Sequence, residues 1–315
     1  MNIGILGANS QIAKDLICSF EALSHHQLIL FSRRKKEVND WLKKTGSAYG
    51  YVVKGYDDFN VEQKLDVIIN FIGVGDPLQA ALMGASILDI TYQYDAMALK
   101  YLEDNPTCRY LFISSGAAYG SNFQAPVDEN TRATFQINNL EPTDWYGIAK
   151  FYAESRHRAL NNRAIVDIRI FNYFSHRLNM DSRFLIADIV RAILDKTVLQ
   201  TSAENFVRDY LNSVDLHQLI VKILDHHPTN LAVDCYTLEP IDKFSLLVAM
   251  HEKFGLNYEI DSQFSSIHAT GMKHSYYSKY RAAEQLGYRP TLTSLQGVCK
   301  EVKLFLEQRD MVLKK

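Results

Sequence analysis

The fold is decided by residues 2–13, which read Asn2-Ile3-Gly4-Ile5-Leu6-Gly7-Ala8-Asn9-Ser10-Gln11-Ile12-Ala13. The run up to Leu6 is short and apolar, as in a buried strand, and apolar residues recur at helical spacing from Ile12 onward. A strand that turns tightly into a helix presents backbone N–H groups and the positive end of the helix dipole to a phosphate. This stretch therefore predicts a strand–turn–helix unit with a phosphate-binding turn.

Small residues mark this turn. Gly7, Ser10 and Ala13 are spaced so that a phosphate could approach the backbone and the helix could pack closely on the strand. We therefore expect Gly7, Ser10, Gln11 and Ile12 to contact a dinucleotide cofactor. An ordinary strand-to-helix turn also carries small residues, so both interpretations stay open.

The alternation of strand and helix continues through the first half of the chain. Further strands are predicted at Leu28–Phe31, Val67–Ile72, Tyr110–Ile113 and Ile165–Ile170. Helices are predicted at Gln11–Phe20, Glu37–Lys44, Pro77–Asn105 and Asp144–Leu160. Near-continuous apolar strands that alternate with helices indicate an α/β fold, a Rossmann-type doubly wound parallel sheet with helices on both faces.

The pattern loosens after about residue 175. Helices are predicted at Phe184–Leu194, Val214–Leu224, Phe244–Phe254 and Tyr280–Gly287, and a strand at Leu231–Leu238. We expect a dinucleotide-binding domain over residues 1–172 and a smaller C-terminal α/β lobe over residues 173–315 that mainly binds substrate. Some segments of the lobe should return to the first domain, because no linker separates the two.

The end of the second strand indicates which cofactor is bound. An NAD-preferring site usually places a carboxylate there for the ribose 2′-hydroxyl, whereas a 2′-phosphate needs positive charge. Ser32, Arg33 and Arg34 occupy this place, and no acid does. These three residues favour NADP, with NAD as the alternative. A solvated basic start of the next helix is another interpretation of the cations here, and it fits Lys35 and Lys36.

Three further residues form a candidate catalytic set. Ser115 lies at the end of a predicted strand, where open α/β sheets bind ligands, and its hydroxyl could hold a substrate oxygen. Tyr146 and Lys150 are four residues apart and share one helix face. A tyrosine has an unperturbed pKa of about 10, and a nearby cation lowers it towards the range that general acid–base catalysis needs.

Composition and charge exclude several classes. The 315 residues include 34 basic and 36 acidic side chains, and this near-neutral balance argues against a nucleic-acid partner. No apolar run approaches the roughly 20 residues of a membrane span, and the N-terminus lacks the pattern of a signal peptide. The four cysteines are widely spaced, which predicts neither disulfides nor a metal site and favours the cytoplasm.

The chain resembles an extended short-chain dehydrogenase/reductase of the nucleotide-sugar epimerase, dehydratase and reductase type. The similar segments follow the family's order and run over nearly the whole chain. They are the cofactor turn Gly7–Ala13, the strand end Phe112–Gly120, the loop Pro126–Glu129, the pair Tyr146–Lys150, and the segments Arg169–Phe174, Arg208–Asp215 and Arg281–Pro290.

The resemblance implies roles for the matching residues. Tyr146 would be the acid–base, Lys150 would hold the nicotinamide ribose and tune Tyr146, and Ser115 would bind the reacting oxygen. Asn172 and Arg208 match positions that hold the nucleotide diphosphate of the substrate. A strand-end cap for Asn172 and a surface ion pair between Arg208 and its neighbour remain alternatives. A homodimer formed through Pro77–Asn105 and Asp144–Leu160 is implied in the same way.

The residues after Ser115 reduce the number of reaction types that the resemblance allows. Relatives that eliminate water to form 4-keto-6-deoxy sugars carry an acidic pair there, whereas this chain has Gly116 and Ala117. Dehydratase chemistry is therefore disfavoured. The favoured function is an NADPH-dependent reductase of a nucleotide-linked keto sugar, and the alternative is a nucleotide-sugar 4-epimerase that retains NAD. A non-catalytic NADP sensor or scaffold is the third hypothesis, and the presence of Ser115, Tyr146 and Lys150 argues against it.

Overall fold

A seven-stranded parallel sheet forms the centre of the molecule. The structure is a computed structural model that describes residues 1–23, 26–47, 50–73, 82–182, 184–261 and 273–313. The strands of the central sheet are β1 (Asn2–Leu6), β2 (Gln27–Phe31), β3 (Val52–Lys54), β4 (Val67–Asn70), β5 (Arg109–Ser115), β6 (Ile165–Ile170) and β11 (Leu231–Asp234). Their order is β11-β6-β5-β4-β1-β2-β3, so the connections reverse direction beside β1, where open α/β sheets bind their ligands.

Helices cover both faces of this sheet. The described residues contain α1 (Gln11–Leu23), α2 (Lys35–Thr45), α3 (Ser86–Asp104), α4 (Trp145–Ala159), α5 (Leu185–Asp195), α6 (Ser213–Asp225), α7 (Lys243–Phe254) and α8 (Ser294–Leu313). Helices α1, α2 and α6 pack on one face, and α3 and α4 pack on the other. The predicted Rossmann-type fold is therefore confirmed.

Alternation along the strands explains the two cores. In β5, Leu111 and Ile113 point to the core under α1 and α6, while Tyr110 and Phe112 point to the core under α3 and α4. Successive side chains of a strand face opposite sides, so a strand covered on both faces needs a continuous apolar run. Because of this requirement, the strands of the sheet could be predicted from continuous apolar runs in the sequence.

The later part of the chain forms smaller sheets and a third core. The sheets pair β7 (Asn172–Tyr173) with β10 (Tyr210–Leu211), β9 (Val207–Arg208) with β12 (Ile241–Asp242) and β14 (Ser275–Tyr276), and β8 (Val198–Ser202) with β13 (Asn257–Asp261). Helices α5, α7 and α8 surround the apolar core of this part. β11 and α6 return to the central sheet, where β11 pairs with β6.

Some predicted boundaries were wrong. The predicted helix Tyr280–Gly287 is a short 3₁₀ turn over Ala282–Leu286, and Gly287, which has a left-handed conformation with φ of +85°, ends it. The strand predicted to Leu238 ends at Asp234. For the helix predicted over Pro77–Asn105, residues 77–81 lie outside the described residues, and the structure gives α3 from Ser86.

In the part of the chain that the structure describes, no helix combines the length and the apolar character that crossing a membrane requires.

Candidate active site

The cofactor turn follows β1 and depends on a glycine. Gly7 has a φ of +79°, and an added Cβ would lie 3.0 Å from the backbone of Phe71 and Ile72 at the end of β4. The N–H groups of Gly7 and Ala8 both donate to the Phe31 carbonyl at 3.1 Å, which ties the turn to β2. A side chain at position 7 would therefore force β1 and β4 apart.

The start of α1 leaves backbone donors free for an anion. Ser10 Oγ accepts the Ala13 N–H at 3.2 Å, whereas the N–H groups of Gln11 and Ile12 have no acceptor among the described residues. The Gln11 side chain contacts the later part of the chain, because its Nε2 donates to Ser175 Oγ at 2.9 Å. Free amides at the positive end of a helix fit the pyrophosphate of a dinucleotide.

The end of β2 carries the three residues expected to read the adenosine ribose. Ser32 is buried, and its Oγ accepts the Arg34 N–H at 3.0 Å, which shapes the turn into α2. The Arg33 side chain is exposed and makes no hydrogen bond or ion pair with the described residues. Arg34 is also exposed, and its Nη1 lies 3.5 Å from Glu37 Oε2.

Glu37 was missed in the sequence patterns. Its Oε2 accepts a hydrogen bond from Asn9 Nδ2 at 2.8 Å, so a carboxylate reaches the cofactor turn from the first turn of α2. The expectation that no acid stands at this place is therefore incomplete. The i, i+3 spacing of Arg34 and Glu37 was the signal that could have located it.

Ser115 and Tyr146 come together at the carboxyl end of β5. Ser115 is the last residue of β5, and Tyr146 lies in the first turn of α4. Burial raises the pKa of Tyr146, and a hydrogen bond with Ser115 opposes that rise. Gly147 permits this approach, because an added Cβ there would lie 2.6 Å from the Ala117 carbonyl oxygen.

Lys150 lies one turn further along α4 and is 3% exposed. Its Nζ donates to the Ile113 carbonyl at 2.8 Å and lies 4.3 Å from the Phe112 ring centroid. Burial lowers the pKa of Lys150 to about 8, despite the charge of Glu154. The expected lowering of the Tyr146 pKa by Lys150 is not seen here, since burial dominates and the amine points to Ile113.

Tyr276 joins this cluster, and no sequence pattern had pointed to it. Its hydroxyl lies 3.2 Å from Ser115 Oγ, which also accepts the Ala117 N–H at 3.2 Å. Burial raises the pKa of Tyr276. β14 pairs with β9 in a register that sets Tyr276 beside Arg208. Only the nearby match at Arg281–Pro290 could have directed attention to this segment.

Asn172 and Arg208 also lie near Tyr276. Asn172 Nδ2 donates to the carbonyls of Asp209 and Tyr276 at 3.4 and 3.3 Å. The Arg208 guanidinium donates to the Val207 carbonyl at 2.9 Å and lies 6.0 Å from the Tyr276 ring centroid. Its pKa is lowered by burial.

The alternative of an Arg208–Asp209 surface pair does not hold. The Asp209 carboxylate is buried and binds Thr237 and Ser294, at 2.5 Å to Thr237 Oγ1 and 2.9 Å to Ser294 Oγ. Among the residues that the structure describes, no carboxylate contacts Arg208. The guanidinium is therefore half-buried without an acidic partner.

A cleft opens beside Tyr146. The residues that line it are Ala117, Gly120, Ser121, Phe135, Thr143, Asp144, Tyr146, Gly147 and Lys273. The loop over residues 131–142, which had no clear match in the family pattern, contributes Phe135. Tyr146 thus lies on the wall of the cleft, and the hydroxyls of Ser115 and Tyr276 and the Lys150 amine lie buried behind it.

A family model now adds to this geometry. The model described as NAD dependent epimerase/dehydratase family matches residues 3–234, which is most of the chain. The chain belongs to this family. The resemblance to the nucleotide-sugar branch of the extended short-chain dehydrogenases/reductases is confirmed, and the protein is an enzyme of that type.

Solved structures share the fold of this epimerase/dehydratase chain. A UDP-glucose 4-epimerase from Stenotrophomonas maltophila, solved with NAD and formylated UDP-arabinopyranose, has a TM-score of 0.80 at 15% identity, with 100% of both chains covered. A UDP-glucose 4-epimerase from Thermotoga maritima, solved with UDP-glucose, has a TM-score of 0.77 at 16% identity, with 98% of this chain and 99% of that chain covered.

A dehydratase has the same fold. The dTDP-glucose 4,6-dehydratase of Bacillus anthracis, solved with NAD, has a TM-score of 0.76 at 16% identity, with 98% of each chain covered. No curated protein matches the sequence of this family member. At these identities the solved structures establish the architecture alone.

Beneath the site, the family member carries a network of paired charges. Arg169 Nη2 lies 2.5 Å from Glu154 Oε2, and Arg169 Nη1 lies 3.3 Å from Asp234 Oδ1. Tyr119 and Ser278 donate to the same Asp234 carboxylate, at 3.1 and 2.6 Å to Oδ2. These contacts join α4 to β6 and β11 and fix the helix that carries Tyr146.

A buried histidine adds a second paired group under α4. The His157 ring lies 2.6 Å from Asp167 Oδ1 through Nδ1 and 2.7 Å from Asp95 Oδ1 through Nε2. Burial alone would lower its pKa, but the two carboxylates raise the pKa of His157 to about 9. The imidazolium therefore links α3, α4 and β6.

Proposed function

We propose that this chain reduces a keto group on the sugar of a nucleotide sugar and that it uses NADPH. The observation that carries the proposal is the cluster of Ser115, Tyr146 and Tyr276 hydroxyls beside a cleft, with Lys150 adjacent and no carboxylate directly after Ser115. Such a set can hold a carbonyl oxygen and give it a proton. It has no additional acid–base pair for removing water.

The absence of an acidic pair is supported by packing. An added Cβ at Gly116 would lie 2.4 Å from the Phe171 ring, so a carboxylate could not be accommodated there without moving that ring. Ala117 is 6% exposed. These contacts argue against 4,6-dehydratase chemistry at this site.

The cofactor would be held at the turn after β1. The free N–H groups of Gln11 and Ile12 would bind its pyrophosphate, with Gly7 and Ser10 shaping the turn, and Lys150 would bind the nicotinamide ribose. Ser32, Arg33 and Arg34 would bind the adenosine 2′-phosphate. When bound, the nicotinamide would supply the hydride that the carbonyl carbon receives.

The protein residues would manage the proton. Tyr276 can donate to Ser115 Oγ, which leaves the Ser115 proton for the carbonyl oxygen of the substrate. Tyr146 Oη would transfer its proton to that oxygen and become a phenolate. The ammonium of Lys150 would stabilise the phenolate until solvent returns a proton. Arg208 would hold the diphosphate of the substrate, whereas Asn172, proposed from the sequence for the same role, already donates through Nδ2 to the carbonyls of Asp209 and Tyr276.

A 4-epimerase that retains NAD is the second candidate. Glu37 favours it, because a carboxylate beside the cofactor turn is suited to a ribose 2′-hydroxyl and repels a 2′-phosphate. The epimerase from Stenotrophomonas maltophila and the dehydratase with the same fold were both solved with NAD. The exposed Arg33 and Arg34 support the reductase instead.

The remaining expectations concern organisation. We propose that residues 1–172 bind the dinucleotide and residues 173–315 mainly bind the substrate. We also propose a homodimer through α3 and α4, because Tyr92, Phe151 and Tyr152 are large and exposed on these helices. The cytoplasm is supported by the four cysteines, all of which are free thiols.

The test combines purified protein with NADPH or NADH and a series of 4-keto-6-deoxy nucleotide sugars. Loss of nicotinamide absorbance that depends on the sugar and is faster with NADPH would support the reductase. Conversion of UDP-glucose to UDP-galactose without added reductant, with NAD released on denaturation, would support the epimerase. Cofactor binding without either reaction would contradict both and favour the sensor.

A further inference from the structure

Lys273 places a buried amine in the cleft, and neither the sequence pattern nor the proposed mechanism uses it. The residue is 7% exposed and lines the cleft together with Tyr146. Its amine makes no hydrogen bond or ion pair with the residues that the structure describes. It lies 4.2 Å from the ring centroid of Tyr276 and 5.1 Å from that of Phe123.

Within the described part of the chain, the charges around Lys273 do not compensate it. Its near charged neighbour is Arg208, which has the same sign, and burial together with Arg208 lowers the pKa of Lys273 to about 7. Asp144 also lines the cleft, but it is at the helix start, where its Oδ2 accepts the Glu141 N–H at 2.9 Å. A buried ammonium is unfavourable without a counter-ion, so the arrangement is suited to a ligand that brings a negative charge.

The position of Lys273 indicates which part of the ligand would carry that charge. Lys273 contacts the ring of Tyr276, and the hydroxyl of the same tyrosine lies 3.2 Å from Ser115 Oγ. Lys273 and Tyr146 line one cleft, whereas Arg208 is not part of its lining. The lining that Lys273 shares with Tyr146 favours the reacting sugar as the part of the ligand that the amine meets, and Arg208 is left for the diphosphate.

We propose that Lys273 binds a carboxylate on the sugar ring, so that this enzyme prefers nucleotide-linked acidic sugars to neutral ones. The inference rests on the proposed function, since it assumes that a nucleotide sugar occupies the cleft. An ammonium pairs with a carboxylate through a charge-assisted hydrogen bond, and the apolar rings of Phe123 and Tyr276 keep water from weakening it.

Calorimetric binding of UDP-glucuronic acid and UDP-glucose to the protein, with NADP⁺ present, tests this site without requiring turnover. The two probes share the nucleotide and the diphosphate and differ in the carboxylate. We expect the wild type to bind UDP-glucuronic acid at least about tenfold more tightly than UDP-glucose. Lys273→Met should remove that preference and leave the UDP-glucose affinity within about twofold. Lys273→Arg should keep most of it.

Lys279→Met is the matched control, because Lys279 is exposed a few residues along the same segment. Its binding of both probes should equal that of the wild type, and an unchanged NADP⁺ affinity in each variant shows that the fold is intact. Equal weakening of both probes by Lys273→Met would assign Lys273 to the diphosphate and overturn the inference. Binding of both probes by the wild type without preference would overturn it while the proposed function stands. Binding of neither would count against both.

Discussion

Buried charge is treated differently in two neighbouring regions of this enzyme. Under α4, each buried charge of the network has a partner of opposite sign, as in Arg169 with Glu154 at 2.5 Å and His157 with Asp167 at 2.6 Å. Around the cleft, Lys150, Arg208 and Lys273 contact no carboxylate among the described residues. In the first region the buried charges compensate one another, whereas in the second these three cations have no carboxylate in contact among the described residues.

This difference separates structural from ligand-binding residues. Breaking a buried pair leaves an uncompensated charge and destabilises the fold, so the paired groups hold α4 in place. An unpaired buried cation costs stability and persists where a ligand compensates it. The cations in and around the cleft therefore mark where a phosphate or carboxylate is expected to bind.

The largest effect is expected for Tyr146→Phe. Removing the hydroxyl takes away the proton donor, so we expect turnover to fall by about 10³-fold or more. Cofactor affinity, measured by fluorescence titration, should change by less than about twofold, because the ring and its packing remain. Tyr152→Phe, on the exposed face of the same helix, is the control. Normal turnover in the Tyr146 variant would remove this residue from the mechanism.

Breaking the paired region should cost stability instead of chemistry. Arg169→Met leaves Glu154 and Asp234 without their cation, and we expect the free energy of unfolding to fall by about 3–5 kcal/mol in urea denaturation. Arg289→Met, which removes an exposed and distant partner of Glu284, should change it by less than about 1 kcal/mol. A similar small change for both variants would contradict the structural role of the network.

Removing the charge of Lys150 should not destabilise the fold as removing that of Arg169 does, because Lys150 is buried and contacts no carboxylate among the described residues. Its pKa in the folded protein is lowered to about 8, below the ordinary value of 10.5. Between these pH values the unfolded chain binds more protons, so this group makes the free energy of unfolding rise with pH. We expect the rise to be absent in Lys150→Met, with a difference of up to about 3 kcal/mol between pH 8 and 10.5.

The same variant separates stability from function. Lys150→Met should lose turnover by about 100-fold, while its free energy of unfolding at pH 7 should equal or exceed that of the wild type. Lys100→Met, on the exposed face of α3, should alter neither property appreciably. If the free energy of unfolding rose with pH equally in the wild type and in Lys150→Met, Lys150 would not be the group that causes the rise.

The smallest effect is expected at the exposed cofactor end. Glu37→Gln removes a negative charge beside the Asn9 side chain and Arg34, so we expect the ratio of NADPH to NADH affinity to rise by about threefold. Arg33→Ala should lower the same ratio, and both changes should shrink in high salt. Glu252→Gln, exposed on α7, is the matched control. A fall in the ratio for Glu37→Gln would contradict the competition between Glu37 and the 2′-phosphate.

The fold was predictable because its strands are buried on both faces. Asn2–Leu6 and Ile165–Ile170 have the bounds that the apolar runs predicted. Short strands such as β3, with residues that are partly exposed, carry no comparable signal. Helix α8 was not predicted, and it packs on the third core through a few residues such as Val298 and Val302.

The candidate site was predictable only where its residues are close in sequence or at strand ends. Tyr146 and Lys150 share a helix turn, and Ser115 ends a strand, so local spacing located them. Tyr276 is brought to Ser115 by the pairing of β14 with β9, and Lys273, just before β14, lines the cleft. Periodicity does not encode such contacts between distant segments. Glu37 reaches the cofactor turn because α2 folds back beside Asn9.

Gly147 has a consequence for how this catalyst can be lost. An added Cβ would lie 2.6 Å from the Ala117 carbonyl oxygen, so the close approach of the Ser115 and Tyr146 hydroxyls depends on the absence of a side chain at position 147. A methyl group at position 147 would push the Ser115 and Tyr146 hydroxyls apart, although every reactive side chain would still be present. Such a variant would keep Ser115, Tyr146 and Lys150 and would still be inactive.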